Sequence, residues 1–235
     1  MEKLYQNSME KPAKTVFLGI YAGGAIALGG LLNIIANTLL SSHPTLGLLV
    51  GSLLFPIGLT MVCFFGFYLF TGKIGYVFDN KKDYLPFLLL VYIGNLIGAM
   101  AVGGLCLLAF RSTDLYQTAL SIASKKMVSL NFLSIVKVFG GSVLCGALVY
   151  LAVFSFKTFK NVFLKLLGIF IPIGLFVFLK FDHCIANMFY FTFGWSYGKG
   201  LAYLSLFIVT LGNSIGAIFL NEGIKAFKKL IAKHE

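Results

Sequence analysis

Residues Gly94 to Ala99 read GNLIGA, and residues Gly212 to Ala217 read GNSIGA. The two strings stand 118 residues apart in a chain of 235, and each lies inside a long apolar run. A polar-punctuated motif repeated at half the chain length, in apolar surroundings, predicts an internally duplicated membrane protein of the transport type. The Gly-x-x-x-Gly spacing in each copy (Gly94 with Gly98, Gly212 with Gly216) lets another helix approach closely. Asn95 and Asn213 are amides at membrane depth, and each requires a partner or a water-lined wall.

Composition supports this reading. The chain is 59% hydrophobic and 11% charged, with a mean hydropathy of +0.92, whereas soluble domains carry about 25% charged residues. Thr15 to Gly72 contains no Asp, Glu, Lys or Arg over 58 residues, enough for two crossings at about 20 residues each. Tyr84 to Phe110 is a second charge-free run. Apolarity on all faces predicts helices; a barrel would show short alternating segments. The first apolar run is too long, and lacks the A-x-A-like end, for a cleavable signal. Cys63, Cys106, Cys145 and Cys184 all fall in apolar segments without a C-x-x-C pair, which indicates inert thiols and neither a metal site nor a redox pair.

Six spans are predicted, at about 15–40, 46–70, 84–110, 132–156, 162–181 and 200–221. The net charge of +11 is an orientation signal and not a nucleic-acid footprint, because the lysines lie mostly between and outside the apolar runs. One side collects Lys3, Lys11, Lys14, Lys73, Lys81, Lys82, Lys157, Lys160, Lys165, Lys225, Lys228, Lys229 and Lys233. The other has only Arg111, Lys125, Lys126 and Lys199. The positive-inside rule then places both termini in the cytoplasm. Two sets of three spans must run in opposite senses, so the expectation is one channel domain over 1–235, with repeat one at about 14–110 and repeat two at about 130–222. Inverted repeats place a substrate path near the bilayer midplane.

Two places carry the pattern of a broken helix. Phe55-Pro56-Ile57-Gly58 is followed by Leu69-Phe70-Thr71-Gly72, and Ile171-Pro172-Ile173-Gly174 by Phe181-Asp182-His183-Cys184. Proline and glycine, then a polar residue about a dozen positions on, occur once in each half, as discontinuous helices beside a binding site require. Trp195 and Tyr197 read as interfacial anchors, and His43 and His234 as solvated. Glu222 to Glu235 reads either as a short amphipathic helix on the inner face or as a disordered basic tail.

On these strings the chain resembles the formate/nitrite transporter family. The matching pieces are KTVFLGIYAGGAIALGG at Lys14 to Gly30, FPIGL at Phe55 to Leu59, LFTG at Leu69 to Gly72, GNLIGA, FDHCIANMF at Phe181 to Phe189, and LGNSIGA at Leu211 to Ala217. The resemblance implies an all-α membrane protein with six transmembrane helices, an aquaporin-like inverted repeat of three plus three containing two broken helices, assembled as a homopentamer without a cofactor. It places the family histidine at His183, facing Thr71 across the middle of the pore, with Asn187 four residues on. It implies apolar constrictions at Phe55, Leu59, Leu69, Phe70, Val149 and Phe176. An entrance lysine before the fourth span falls on Lys126, with Lys125 as the alternative. Asp182 stands where glutamate is usual, Tyr68 where an acidic residue is common, Lys73 where asparagine is frequent, and Gly146 where members often have asparagine.

The chemistry expected of His183 follows from its side chain. An imidazole changes charge near neutral pH; exclusion of water opposes that charge and a neighbouring anion supports it, so anion arrival couples to proton uptake. A small anion is costly to hold in the membrane core, whereas its protonated acid passes an apolar ring. The reading is a pH-dependent, proton-linked channel or transporter in the cytoplasmic membrane for formate, nitrite or hydrosulfide. Alternatives are a channel for lactate- or acetate-type carboxylates, and a neutral-solute channel of aquaporin-like fold, although the chain has no NPA string. An intramembrane enzyme is disfavoured, since no serine–histidine, di-aspartate or metal set occurs at usable spacing.

Overall fold

The computed structural model describes residues 11–195 and 200–232. Lys3, Tyr197, Lys199, Lys233 and His234 lie outside the described residues. Ten α-helices form the described fold: α1 Pro12–Leu39, α2 Pro44–Leu54, α3 Pro56–Phe65, α4 Phe70–Lys73, α5 Tyr84–Phe110, α6 Asp114–Lys125, α7 Phe132–Thr158, α8 Val162–Phe178, α9 Cys184–Phe193 and α10 Leu201–Ile231, with a 3-10 segment at Ile74–Asp79 after α4. Proline opens α1, α2 and α3, where its missing N–H costs no hydrogen bond. Asn131 and Asn161 cap α7 and α8 with side-chain oxygens.

Five helical stretches are long and apolar enough to cross a membrane: Pro12–Leu39, Pro44–Phe65, Tyr84–Phe110, Phe132–Thr158 and Leu201–Ile231. The predicted span at 162–181 is shorter, the 17-residue α8. Large apolar side chains such as Leu108, Phe132 and Phe219 stand exposed on the outside. The basic tail from Glu222 is not a separate element: α10 continues through Gly223 unbroken to Ile231, because no proline interrupts it and Asn221 and Lys225 tie this stretch to the 3-10 segment. Asn221 donates to the Gly75 carbonyl at 2.9 Å and to Asp79 at 2.9 Å, and Lys225 pairs with Asp79.

Helix pairing repeats across the chain. α1 packs chiefly on α5, and α7 on α10. A Cβ on Gly98 would lie 1.9 Å from the Ile20 carbonyl, and one on Gly216 would lie 1.9 Å from the Val143 carbonyl. Gly23 and Gly146 face the carbonyls of Asn95 and Asn213 at 2.1 and 2.0 Å in the same sense. Backbones therefore touch at both crossings. Gly146 admits no side chain at this crossing. Tyr92 and Thr210, which occupy the same place relative to the two GNxIGA strings, hydrogen-bond each other at 3.0 Å.

The chain breaks are displaced from the prolines. Pro56 separates α2 from α3, but Pro172 lies inside an uninterrupted α8. The breaks proper are 66–69 and 179–183, each a turn or more beyond its proline, where the helical ladder ends in a left-handed residue: Gly66 at φ 69° and Lys180 at φ 60°. In both, the next amide reaches back five residues, Phe67 to Val62 and Phe181 to Phe176, each at 3.0 Å, closing the helix in the manner of a Schellman turn.

Candidate functional site

Each break is held by the asparagine of its own half. Asn95 donates to the carbonyls of Tyr68 (2.7 Å) and Gly19 (2.9 Å) and accepts from the Phe70 amide (2.9 Å). Asn213 donates to the carbonyls of Asp182 (3.0 Å) and Ser142 (2.8 Å) and accepts from the Cys184 amide (2.9 Å). One amide thus satisfies three backbone groups that a broken helix would leave unpaired in an apolar interior. The residue between the clamped groups is Leu69 in one half and His183 in the other. Both are extended, and they open α4 and α9. Asn95 and Asn213 are fully buried in these bonds.

The two loops meet. Thr71 Oγ1 lies 2.8 Å from His183 Nε2, and both residues are buried. His183 Nδ1 accepts the Ala186 amide at 3.3 Å, capping α9. A neutral imidazole with Nδ1 as acceptor carries its proton on Nε2. Nε2–H then donates to Thr71, whose own O–H remains available. Thr71 sits in the first turn of α4 and is not the repeat equivalent of His183; that place belongs to Leu69.

A cavity adjoins this pair, lined by Ile26, Phe55, Leu59, Leu69, Val149, Ile173, Phe176 and His183. Six of the eight are repeat partners under the spacings that relate the clamps: Leu59 with Ile173, Leu69 with His183, and Ile26 with Val149. His183 is the sole polar member. Phe55 and Phe176 close the wall with ring centroids 5.7 Å apart, and Phe176 lies nearly parallel to the imidazole at 6.0 Å. Phe70 is elsewhere: its ring packs edge-on against Tyr92 at 5.0 Å. Ile26 and Ile173 escaped the sequence reading, although the offset from Leu59 to Ile173 equals that from Leu69 to His183 and would have found the second of them.

Beside His183 is a polar cluster. Lys126, and not Lys125, bonds Asp182 at 2.9 Å, and Asn187 donates to the same carboxylate oxygen at 3.1 Å. The Asn187 carbonyl oxygen is buried without a partner among the described residues. Residues 181–183 are not helical, and His183 is extended. Tyr190 donates to Asn33 at 3.4 Å. Tyr68 and Lys73, two departures from the family pattern, accommodate one another, since the Lys73 ammonium rests 4.0 Å above the Tyr68 ring, a cation–π contact. His43 and Trp195 are exposed.

This architecture has counterparts among known proteins. The family model described as Formate/nitrite transporter matches residues 1–227. A "Probable formate transporter" of Methanothermobacter thermautotrophicus is 32% identical, covering 88% of this chain and 86% of that protein. The "Formate channel FocA" of Escherichia coli K12 is 30% identical over 78% of this chain and 67% of its own length. Among solved structures, a "Pentameric formate channel with formate bound" superposes with a TM-score of 0.76 at 24% identity, covering 94% of this chain and 97% of the other. The apolar helices and these matches make the protein a multi-pass membrane protein, and the chain belongs to the formate/nitrite transporter family of transporters and channels.

Proposed function

We propose that this chain is a pH-dependent, proton-linked channel for small monovalent anions or their acids, with formate, nitrite or hydrosulfide as the substrate class. The observation that carries the reading is one polar group, His183, set in an otherwise apolar constriction and hydrogen-bonded to Thr71. An anion shedding water at that constriction needs a countercharge or a proton. Lys126 draws it to one mouth. The neutral imidazole of His183 donates its Nε2–H to the anion's oxygen, a proton delivered from the solution at the mouth converts the anion to its acid, and the neutral acid crosses the ring. Thr71 orients the imidazole and offers its hydroxyl to the passing oxygen. Asn187, with a free carbonyl oxygen, accepts from the protonated acid. No step makes or breaks a carbon bond, so the chain is read as a channel and not an enzyme.

The same reading frames the chain as six spans, with α2 and α3 leading into α4 as the second and α8 with α9 as the fifth. Repeats 14–110 and 130–222 run in opposite senses, both termini are cytoplasmic, and five copies assemble in the cytoplasmic membrane. Relatives named as formate transporters support it, as does the structural neighbour, a pentameric formate channel. The close approach of Phe55 and Phe176 favours the smallest anions over lactate- or acetate-type carboxylates, and the histidine favours an ionisable substrate over a neutral one. Formate flux through purified protein in liposomes, measured at several pH values for the parent chain and for His183→Ala, tests it. The expected result is loss of pH dependence and of selectivity; unchanged selectivity and pH dependence would overturn the role of His183.

A further inference from the structure

The offset that relates Leu69 to His183 also relates Tyr76 to Tyr190. Both tyrosines are buried, and each lies seven residues beyond its central loop residue. Each also carries a lysine ammonium over its ring: Lys126 at 5.6 Å from the Tyr190 centroid and Lys157 at 4.6 Å from that of Tyr76. The lysines are not repeat equivalents. Lys126 precedes α7 and Lys157 is in its last turn, so a helix about 40 Å long separates them.

Two columns of side chains lead from the cavity to Lys157. On α7, Val149 lines the cavity, Val153 follows one turn on against Gly72, and Lys157 follows one turn later. On α3, Leu59 lines the cavity, and Cys63 one turn on lies within electrostatic reach of Lys157. At 1.5 Å per residue, the Lys157 backbone stands about 12 Å along α7 from the constriction.

We propose that Lys157, braced on Tyr76, captures small monovalent anions at the second mouth of the path, as the counterpart of Lys126 on Tyr190. This rests on the anion-conduction reading above. The two sites differ in balance. Lys126 is paired with Asp182, whereas no carboxylate pairs with Lys157 among the described residues. Among the described acids on that side, Asp79 and Glu222 are engaged by Lys225 and Asn221, and Asp83 stands at the start of α5. The Tyr76 ring that braces Lys157 is itself buried against Tyr150, with ring centroids 5.4 Å apart. An ammonium without a carboxylate partner concentrates anions without holding them tightly, as a mouth requires.

Formate currents through single channels in planar bilayers test this, with formate supplied from one side at a time at low ionic strength. Lys157→Gln is expected to lose roughly two- to fivefold of the current fed from the Lys157 side, leaving the opposite direction unchanged. Lys126→Gln should show the reverse polarity and so identifies the sides. Lys157→Arg should restore the current, and high salt should erase the difference by screening. Should Lys157→Gln fail to insert, Thr158→Glu, an exposed neighbour, is expected to depress the same direction. Symmetric currents at the parent level in Lys157→Gln, or no restoration by Lys157→Arg, would overturn the site while leaving anion conduction intact. Absence of any formate current in the parent chain would overturn both.

Discussion

The loop 66–69 and the loop 180–183 share one backbone and differ in chemistry. Both follow a helix closed by a five-residue return bond, both carry an extended residue, and both are clamped by an asparagine through two carbonyls and an amide. One presents leucine to the cavity and the other histidine. The comparison teaches that scaffold and function are separable here. The asparagines and glycines build two near-equal cradles, and the single substitution of histidine for an apolar residue makes one of them chemical. Keeping the other apolar leaves the histidine as the one polar residue in the ring.

The largest effect should come from the crossings that both halves share. Gly98→Ala and Gly216→Ala each force a Cβ into a backbone carbonyl at 1.9 Å. Each is expected to cost about 3 kcal/mol or more and to prevent assembly, read as loss of the monodisperse peak and of thermal protection in detergent. Similar losses in the two would sharpen the equivalence of the halves, and a tolerated alanine in either would break it.

Next are the clamps. Asn95→Ala and Asn213→Ala each strip three hydrogen bonds from buried backbone groups, a loss of about 3 kcal/mol. Thermal unfolding should fall alike in both. Formate flux in variants that survive should fall further in Asn213→Ala, since that loop carries His183. Equal flux loss would separate the clamp from the histidine's placement.

Thr71→Val removes the hydroxyl that meets His183 at 2.8 Å while retaining the shape. Flux is expected to drop about tenfold, corresponding to about 1.4 kcal/mol, with the pH profile displaced and stability little changed. An unaltered pH profile would detach Thr71 from the imidazole.

The smallest effect concerns the left-handed residues. Lys180→Gly should stabilise the fold by up to about 1 kcal/mol, because a non-glycine residue at φ 60° carries strain that glycine lacks. Gly66→Ala, with open space around its Cβ position, should cost about the same. Opposite signs in the two melting shifts would confirm that the loops are one backbone with different residues.

Much of this was legible from sequence, for reasons that differ by element. The glycine crossings and the asparagines announced themselves because GNxIGA recurs. The breaks were placed by prolines, yet Pro172 stays within α8. A proline weakens a helix, but the positive-φ residue ends it, and nothing in Lys180 advertises that conformation. Phe70 was expected in the constriction by its place in LFTG. The Asn95 clamp instead fixes its amide, and its ring turns to Tyr92. The Lys126–Asp182 pair joins residues 56 apart on different elements, a contact that no local pattern encodes. The basic end of α10 reads as a separate segment only while Asp79 and Gly75, its remote partners, are left out.

The bond from Asn221 to Gly75 spans 146 residues. All three partners of Asn95 precede it in the chain, but the 3-10 segment beyond that loop must wait for the last helix. During that interval the first half is inserted yet unfinished, with the carbonyl of Gly75 lacking its side-chain donor. Contacts between distant parts of a chain form slowly, so the docking of α10 on the 3-10 segment is expected to be a late step of folding. A chain halted before Asn221 would leave the Gly75 carbonyl and Asp79 without that side-chain donor.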